Sequence, residues 1–211
     1  MVKLVIWDWN GTILDDAAVC YGIANDMRRE RGMPLMPTVD DYREVFGFPI
    51  IDYYRRMGYT FEQESYEDIS VEFHRLYMER VSRCPLRQGA LDTIQAIRQR
   101  GVGQVLLSAT GQQLLDEQIR LFGLTGRFDE VLGLADNLAY GKAELARGYI
   151  ARAGVSQAET VFVGDTEHDF EVSSAVGCRA LLLTGGHHSA QKLKSCGVPV
   201  LDSVRDVLAY I

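Results

Sequence analysis

Several residues able to do chemistry stand just after apolar runs. Asp8 and Asn10 follow Lys3-Leu4-Val5-Ile6-Trp7. Ser108 and Thr110 follow the run that ends at Leu107. Gly164-Asp165-Thr166-Glu167-His168-Asp169 follows Thr160–Val163, and Lys142 opens a helical pattern after Gly141. Carboxylate oxygens suit a hard cation such as Mg²⁺. A lysine and a hydroxyl suit a phosphate. A cation that neutralises phosphate oxygens lets an anionic carboxylate approach phosphorus, which is one physical route to phosphoryl transfer. Lysine and serine would then hold the oxygens on which charge builds up.

These residues can cooperate only if the chain brings the ends of those runs together. The runs do not alternate polar with apolar, as expected of strands buried on both faces of a parallel sheet. They are Lys3–Trp7, Val102–Leu107, Glu130–Gly133, Thr160–Val163 and Arg179–Leu183. Helical stripes lie between them. Leu91, Ile94 and Ile97 stop at Gly101, and Leu114, Leu115, Ile119 and Phe122 stop at Gly123. The pattern predicts an α/β fold with a doubly wound, Rossmann-like parallel sheet, whose ligands lie beyond the carboxyl ends of the strands. Residues 16–85 break the alternation and read as helical, with Ala17–Arg31 the plainest helix and Pro34, Pro37 and Pro49 as punctuation. The expected organisation is a discontinuous core of residues 1–15 and 86–211, with 16–85 as an inserted helical domain.

The ordered set resembles the haloacid dehalogenase superfamily of phosphotransferases and hydrolases, in the branch of the phosphoglycolate phosphatases. Asp8-Trp9-Asn10-Gly11-Thr12 is similar to the first motif, Asp-x-Asp-Gly-Thr, except at Asn10. Ser108 matches the second motif, Lys142 the third, and Gly164-Asp165 with Asp169 the fourth. The resemblance covers nearly the whole chain and implies that 16–85 is the family's cap. It implies Asp8 as the nucleophile that forms an aspartyl-phosphate and as a metal ligand. It implies Mg²⁺ held directly by Asp165, through water or at second hand by Asp169, and by the backbone carbonyl of Asn10. Thr12, Ser108 and the backbone at Ala109 and Thr110 would bind phosphate, Lys142 would hold phosphate and balance Asp8, and Phe46-Gly47 would lie in a substrate-specificity loop.

Asn10 is the departure. The family's phosphatases use an Asp there to protonate the leaving alcohol and then to activate water. Asn does neither, and a general acid/base step is worth roughly 10²- to 10⁴-fold. Phosphonoacetaldehyde hydrolases also lack that Asp but use a cap lysine, and no lysine stands between Lys3 and Lys142. The 2-haloacid dehalogenases carry Tyr there and lack the Gly-Asp motif kept at Gly164-Asp165. His168, His187 and His188 are candidate replacement donors, although His168 reads first as an exposed helix start and the other two as a loop after Gly185-Gly186. The expectation is a Mg²⁺-dependent phosphatase of a small phosphorylated metabolite. The alternative is a catalytically weak phospho-ligand-binding protein that keeps the metal site.

Composition agrees with an enzyme core and excludes other classes. The 211 residues are 47% hydrophobic and 24% charged, with a net charge of -7. No Lys/Arg run exceeds two residues, against nucleic-acid binding. No stretch approaches a membrane helix, and the apolar start is too short for a signal peptide. Cys20, Cys84, Cys178 and Cys196 show neither CxxC nor zinc spacing and read as reduced thiols. These features predict a cytoplasmic protein, monomeric or homodimeric. Arg43, Arg55 and Arg56 could reach a substrate carboxylate but read first as surface charge, and Trp9 reads as a residue that closes the site or packs on the insertion.

Overall fold

A computed structural model of the protein describes residues 1–134 and 141–211. Its strands form one parallel sheet in the order β3-β2-β1-β4-β5-β6. They are β1 (Leu4–Trp7), β2 (Gly103–Gly111), β3 (Glu130–Leu134), β4 (Thr160–Gly164), β5 (Arg179–Leu183) and β6 (Val200–Leu201). β1 is central. Its four residues pair with Gly103–Leu106 on one side and Thr160–Val163 on the other. All four are buried, which explains their unbroken apolar run.

The pleat sends alternate β1 residues into two core layers. Leu4 and Ile6 pack with Val105, Phe162, Ala146, Ile150 and Val172. Val5 and Trp7 pack with Leu106, Val163, Ile94, Leu115 and the helices between β1 and β2. The first layer is closed by α7 (Gly141–Ala153) and α8 (Glu167–Val176), the second by α5 (Ala90–Gln99) and α6 (Gln112–Leu121).

Residues 17–80 hold α1 (Ala17–Glu30), α2 (Val39–Val45), α3 (Ile50–Arg56) and α4 (Tyr66–Arg80). The chain leaves and re-enters the sheet layers through paired segments. Asp15 N–H donates to Pro85 O at 2.9 Å, Arg87 N–H donates to Ile13 O at 2.8 Å, and Leu14 bridges Leu86 antiparallel. α9 (Ala190–Ser195) precedes β6.

The structure corrects three local expectations. β2 runs on to Gly111 after a register shift beyond Leu107, so Ala109 and Thr110 lie in strand and α6 opens only at Gln112. β6 exists, too short to show as an apolar run. Trp9 does not close the site but is packed into the core. Its ring is fully buried, donates to Gln118 Oε1 at 2.6 Å and sits edge-on to Phe122. Among the described residues no helix is long and apolar enough to cross a membrane, and all four cysteines are free.

Candidate active site

Three chain segments deliver the carboxylates. Asp8 is the first residue after β1, and its N–H is fixed by Val163 O at 2.8 Å. Asp165 follows β4. Asp169 sits one turn into α8, where its carboxylate closes a capping box with Thr166. Each of the three offers an oxygen, and these oxygens lie within 4.8 Å of one another. Lys142, in the first turn of α7, binds two of them, with Nζ donating to Asp8 Oδ1 at 2.6 Å and to Asp169 Oδ1 at 2.7 Å. The lysine and all three acids are buried.

Burial makes these charges interact strongly. It raises Asp8 to about 8, with Asp169 and Asp165 adding to the rise and Lys142 opposing it. It raises Asp165 to about 6, with His187 opposing and Asp169 adding. It also pushes Asp169 up, but the charge and hydrogen bond of Lys142 outweigh it and hold Asp169 below its ordinary value. Lys142 is raised despite burial, by Asp169 and Asp8. Three buried carboxylates thus stand together with a lysine bound to only two of them, and a hard divalent cation fits the uncompensated negative charge.

Asp169 Oδ2 takes N–H groups from Asp165 at 3.1 Å and Thr166 at 3.0 Å, and the Thr166 hydroxyl at 2.7 Å. That leaves Asp169 committed to helix capping and Lys142. Asp165 accepts the Thr12 hydroxyl at 2.8 Å on Oδ1 and His187 N–H at 2.7 Å on Oδ2. Its carboxylate lies so close to Gly11 (φ 73°) and Gly186 that a Cβ at either would collide with it. Thr12, expected to bind phosphate, is fully buried and spends its hydroxyl on Asp165. On the β2 side, Thr110 N–H donates to Ser108 Oγ at 3.1 Å, and the Ser108 hydroxyl donates to Thr110 Oγ1 at 3.1 Å.

The sequence reading missed Asp16, which is fully buried. It accepts Gly11 N–H at 2.8 Å and the Tyr77 hydroxyl at 2.7 Å, and it faces His187 Nε2 at 3.2 Å. Burial pushes Asp16 up, but the charge and hydrogen bond of His187, with Asn10 and Tyr77, bring it below its ordinary value. His187 is raised to about 9, since Asp16 outweighs burial. Tyr42 from α2 places its hydroxyl 2.8 Å from His187 Nδ1. Asn10 joins this cluster through its amide nitrogen, which donates to Asp16 Oδ2 at 2.8 Å and Tyr77 at 2.8 Å. Its Oδ1 accepts the Thr110 hydroxyl at 3.1 Å.

Three more readings change. His187 and His188 are not loose loop residues. They are 5% and 2% exposed, under Phe46, whose ring centroid lies 4.9 Å and 5.9 Å from theirs. His168 is half-buried against Phe48 rather than exposed. Arg43 is half-buried rather than free surface charge, and its guanidinium donates to Gly185 O at 2.8 Å and Gly186 O at 2.9 Å. Phe46 and Gly47 lie over this loop, as the aromatic contacts and the Gly47 surroundings show.

A parallel sheet with buried carboxylates, a lysine and a serine at the carboxyl ends of its strands defines a hydrolase built around an acidic centre. The chain belongs to the haloacid dehalogenase-like hydrolase family, whose family model matches residues 5–183. It is 28% identical over 219 residues to a phosphoglycolate phosphatase of Aliivibrio fischeri, covering 99% of this chain and 92% of that one. It is 27% identical over 212 residues to a probable phosphatase of Dickeya dadantii, covering 95% and 89%. A solved haloacid dehalogenase-like protein of unknown function from Agrobacterium tumefaciens shares the fold, with a TM-score of 0.83 at 20% identity over 100% of this chain and 97% of that one.

Proposed function

We propose that this hydrolase is a Mg²⁺-dependent phosphatase of a small phosphorylated metabolite, working through an aspartyl-phosphate on Asp8. One observation carries the reading. Lys142 grips a single oxygen of Asp8, while Oδ2 receives no hydrogen bond from the described residues. The carboxylate is therefore oriented with one oxygen free to attack.

Asp8, Asp165 and the backbone carbonyl of Asn10 would hold Mg²⁺, with Asp169 behind them. Bound there, the cation would offset the negative charge of phosphate and carboxylates as they approach. Asp8 Oδ2 attacks phosphorus, the P–O bond to the leaving group breaks, and the leaving oxygen departs with the electron pair. Water then attacks the phosphorus of the aspartyl-phosphate, the P–Oδ2 bond breaks and returns the Asp8 carboxylate, and the proton of the water leaves with the inorganic phosphate. Lys142 and Ser108 hold phosphate oxygens. Thr12 serves by orienting Asp165. Residues 16–85 act as a cap that excludes water, with Phe46 and Gly47 over the site.

Asn10 supplies no proton, because a carboxamide is not an acid near neutral pH, and both its amide hydrogens are held by Asp16 and Tyr77. Leaving groups that depart without acid help, such as acyl phosphates and sugar 1-phosphates, suit this site best. The same bonds favour a second reading, a phospho-ligand-binding protein with little turnover. Purified protein with Mg²⁺ should be screened against phosphorylated metabolites, with Asp8→Asn as control. Chelator-sensitive turnover absent from Asp8→Asn supports the phosphatase. Binding of phosphate analogues with no turnover on any ester supports the second reading.

A further inference from the structure

Lys142 binds Asp8 and Asp169 but not Asp165. The Asp165 carboxylate is held instead by the Thr12 hydroxyl on Oδ1 at 2.8 Å and by the His187 N–H on Oδ2 at 2.7 Å. The second hold comes from the loop Gly185-Gly186-His187, which has little grip of its own. Gly185 stands at φ 83°, and a Cβ at Gly186 would collide with Asp165 Oδ2. Two glycines in a row leave a main chain free to move unless something outside it fixes it.

What fixes this loop comes largely from α2. Tyr42, which is buried, puts its hydroxyl 2.8 Å from His187 Nδ1. Arg43 donates to Gly185 O and Gly186 O. Phe46, the residue after α2, covers the His187 ring with centroids 4.9 Å apart. At the other ring nitrogen, His187 Nε2 meets Asp16 Oδ1 at 3.2 Å. A carboxylate accepts, so Nε2 carries a proton, while a phenol can give or take the bond at Nδ1. The ring is thus pinned at both nitrogens and on one face, and the N–H of the same residue is aimed at Asp165.

A metal ligand is only as well oriented as the groups that hold it from behind, and losing such a group weakens metal binding. We propose that Tyr42 is a positioning residue of the metal centre, acting through His187 on Asp165, so that the inserted helices set the affinity of the core for a divalent cation. This rests on the metal site of the phosphatase reading and not on turnover. Linkage makes the effect mutual. Whatever the seating of α2 adds to cation affinity, the cation adds to the seating of α2 on the loop.

The test reads metal binding directly. Mn²⁺ serves as the probe, and the paramagnetic signal of the free ion gives the bound fraction in wild type, Tyr42→Phe and Asn25→Ala. Tyr42→Phe removes one hydroxyl and keeps the ring. Asn25→Ala loosens the insertion elsewhere, where Asn25 ties α1 to Met36 through its N–H at 2.9 Å and its carbonyl at 3.0 Å. We expect Tyr42→Phe to bind Mn²⁺ about three- to tenfold more weakly, the worth of one hydrogen bond, and Asn25→Ala to stay within about twofold of wild type. Amide exchange at 39–46 should slow on adding Mg²⁺ in wild type and slow less in Tyr42→Phe. Equal Mn²⁺ affinity in wild type and Tyr42→Phe overturns the inference and leaves the metal site standing. Equal losses in Tyr42→Phe and Asn25→Ala overturn it as well, since they mark general loosening. So does exchange at 39–46 that ignores Mg²⁺ in wild type. Wild-type protein that binds no Mn²⁺ overturns both the inference and the metal-dependent reading beneath it.

Discussion

The Asn10 amide donates to the Asp16 carboxylate at 2.8 Å, six residues further along the same loop. Asp16 is fully buried. An Asp at position 10 would set two carboxylates face to face in a dry site, and such a pair holds one proton between them. We expect Asn10→Asp alone to gain little turnover, because its proton is shared with Asp16 and not delivered to a leaving group. Asn10→Asp with Asp16→Asn moves the amide donor to position 16 and frees the new carboxyl. Its turnover on an unactivated ester should exceed wild type by tenfold or more, about 1.4 kcal/mol of barrier. Steady-state kinetics on one activated and one unactivated ester checks this, and equal rates for single and double variants would refute it.

The acids next to Lys142 predict a pH dependence for metal binding. Asp8 is raised to about 8 and Asp165 to about 6. Carboxyls raised in the folded state stabilise it while protonated, fully below the ordinary carboxylate range. That stability is lost as pH rises through about 6 to 8. Mg²⁺ must displace those protons, so its apparent affinity should fall on the order of 100-fold between pH 8 and pH 6. With Mg²⁺ near 100 times its dissociation constant at pH 8, the gain is about 2.7 kcal/mol, or roughly 5–10 °C in Tm. At pH 6 the same Mg²⁺ should add about 1–2 °C. Thermal unfolding with and without Mg²⁺ at both pH values measures it, and a larger shift at pH 6 would contradict the assignment.

Asp165 and Asp169 should fail differently when removed. Asp169 Oδ2 caps α8 through three donors, and its Oδ1 neutralises Lys142. Asp169→Ala loses a cap worth about 1 kcal/mol and leaves a buried lysine on one partner, at a cost of about 3–5 kcal/mol. Asp165 makes two bonds, from Thr12 and His187 N–H. Asp165→Ala should therefore keep more of its Tm than Asp169→Ala but lose nearly all stabilisation by Mg²⁺. Metal titrations followed by thermal unfolding test this ordering, and equal metal loss with equal Tm would reject it.

The sheet was legible because burial on both faces leaves unbroken apolar runs, as in Leu4–Trp7. β6 escaped because it has only two residues, Val200–Leu201. Asp8, Ser108, Lys142, Asp165 and Asp169 were legible because strand ends in such a sheet converge. Asp16 was not. Its meaning comes from Tyr77 and His187, 61 and 171 residues away, and no local spacing records that. His187 and His188 looked like loop residues after two glycines. Phe46, on a separate element, is what buries them.

Lys192 ties the last turn of α2 to the sheet layers. Its Nζ donates to Glu44 O at 2.6 Å, Phe46 O at 3.0 Å and Arg43 O at 3.3 Å, carbonyls that the end of α2 leaves without helical partners. Arg43 reciprocates with its bonds to Gly185 O and Gly186 O. The two residues clamp the Phe46-Gly47 segment to the loop and helix beside the site. Lys192 is a partly exposed donor, so Lys192→Met should cost only about 1–2 kcal/mol of global stability. Its main effect should be local, since a loop freed at one anchor opens more often. We expect amide protons at 44–48 to exchange at least tenfold faster, and KM to rise several-fold with kcat little changed. Hydrogen exchange read by mass spectrometry, with parallel kinetics, measures both. Unchanged exchange at 44–48 would show that Arg43 and the Phe46 stacking hold the segment without Lys192.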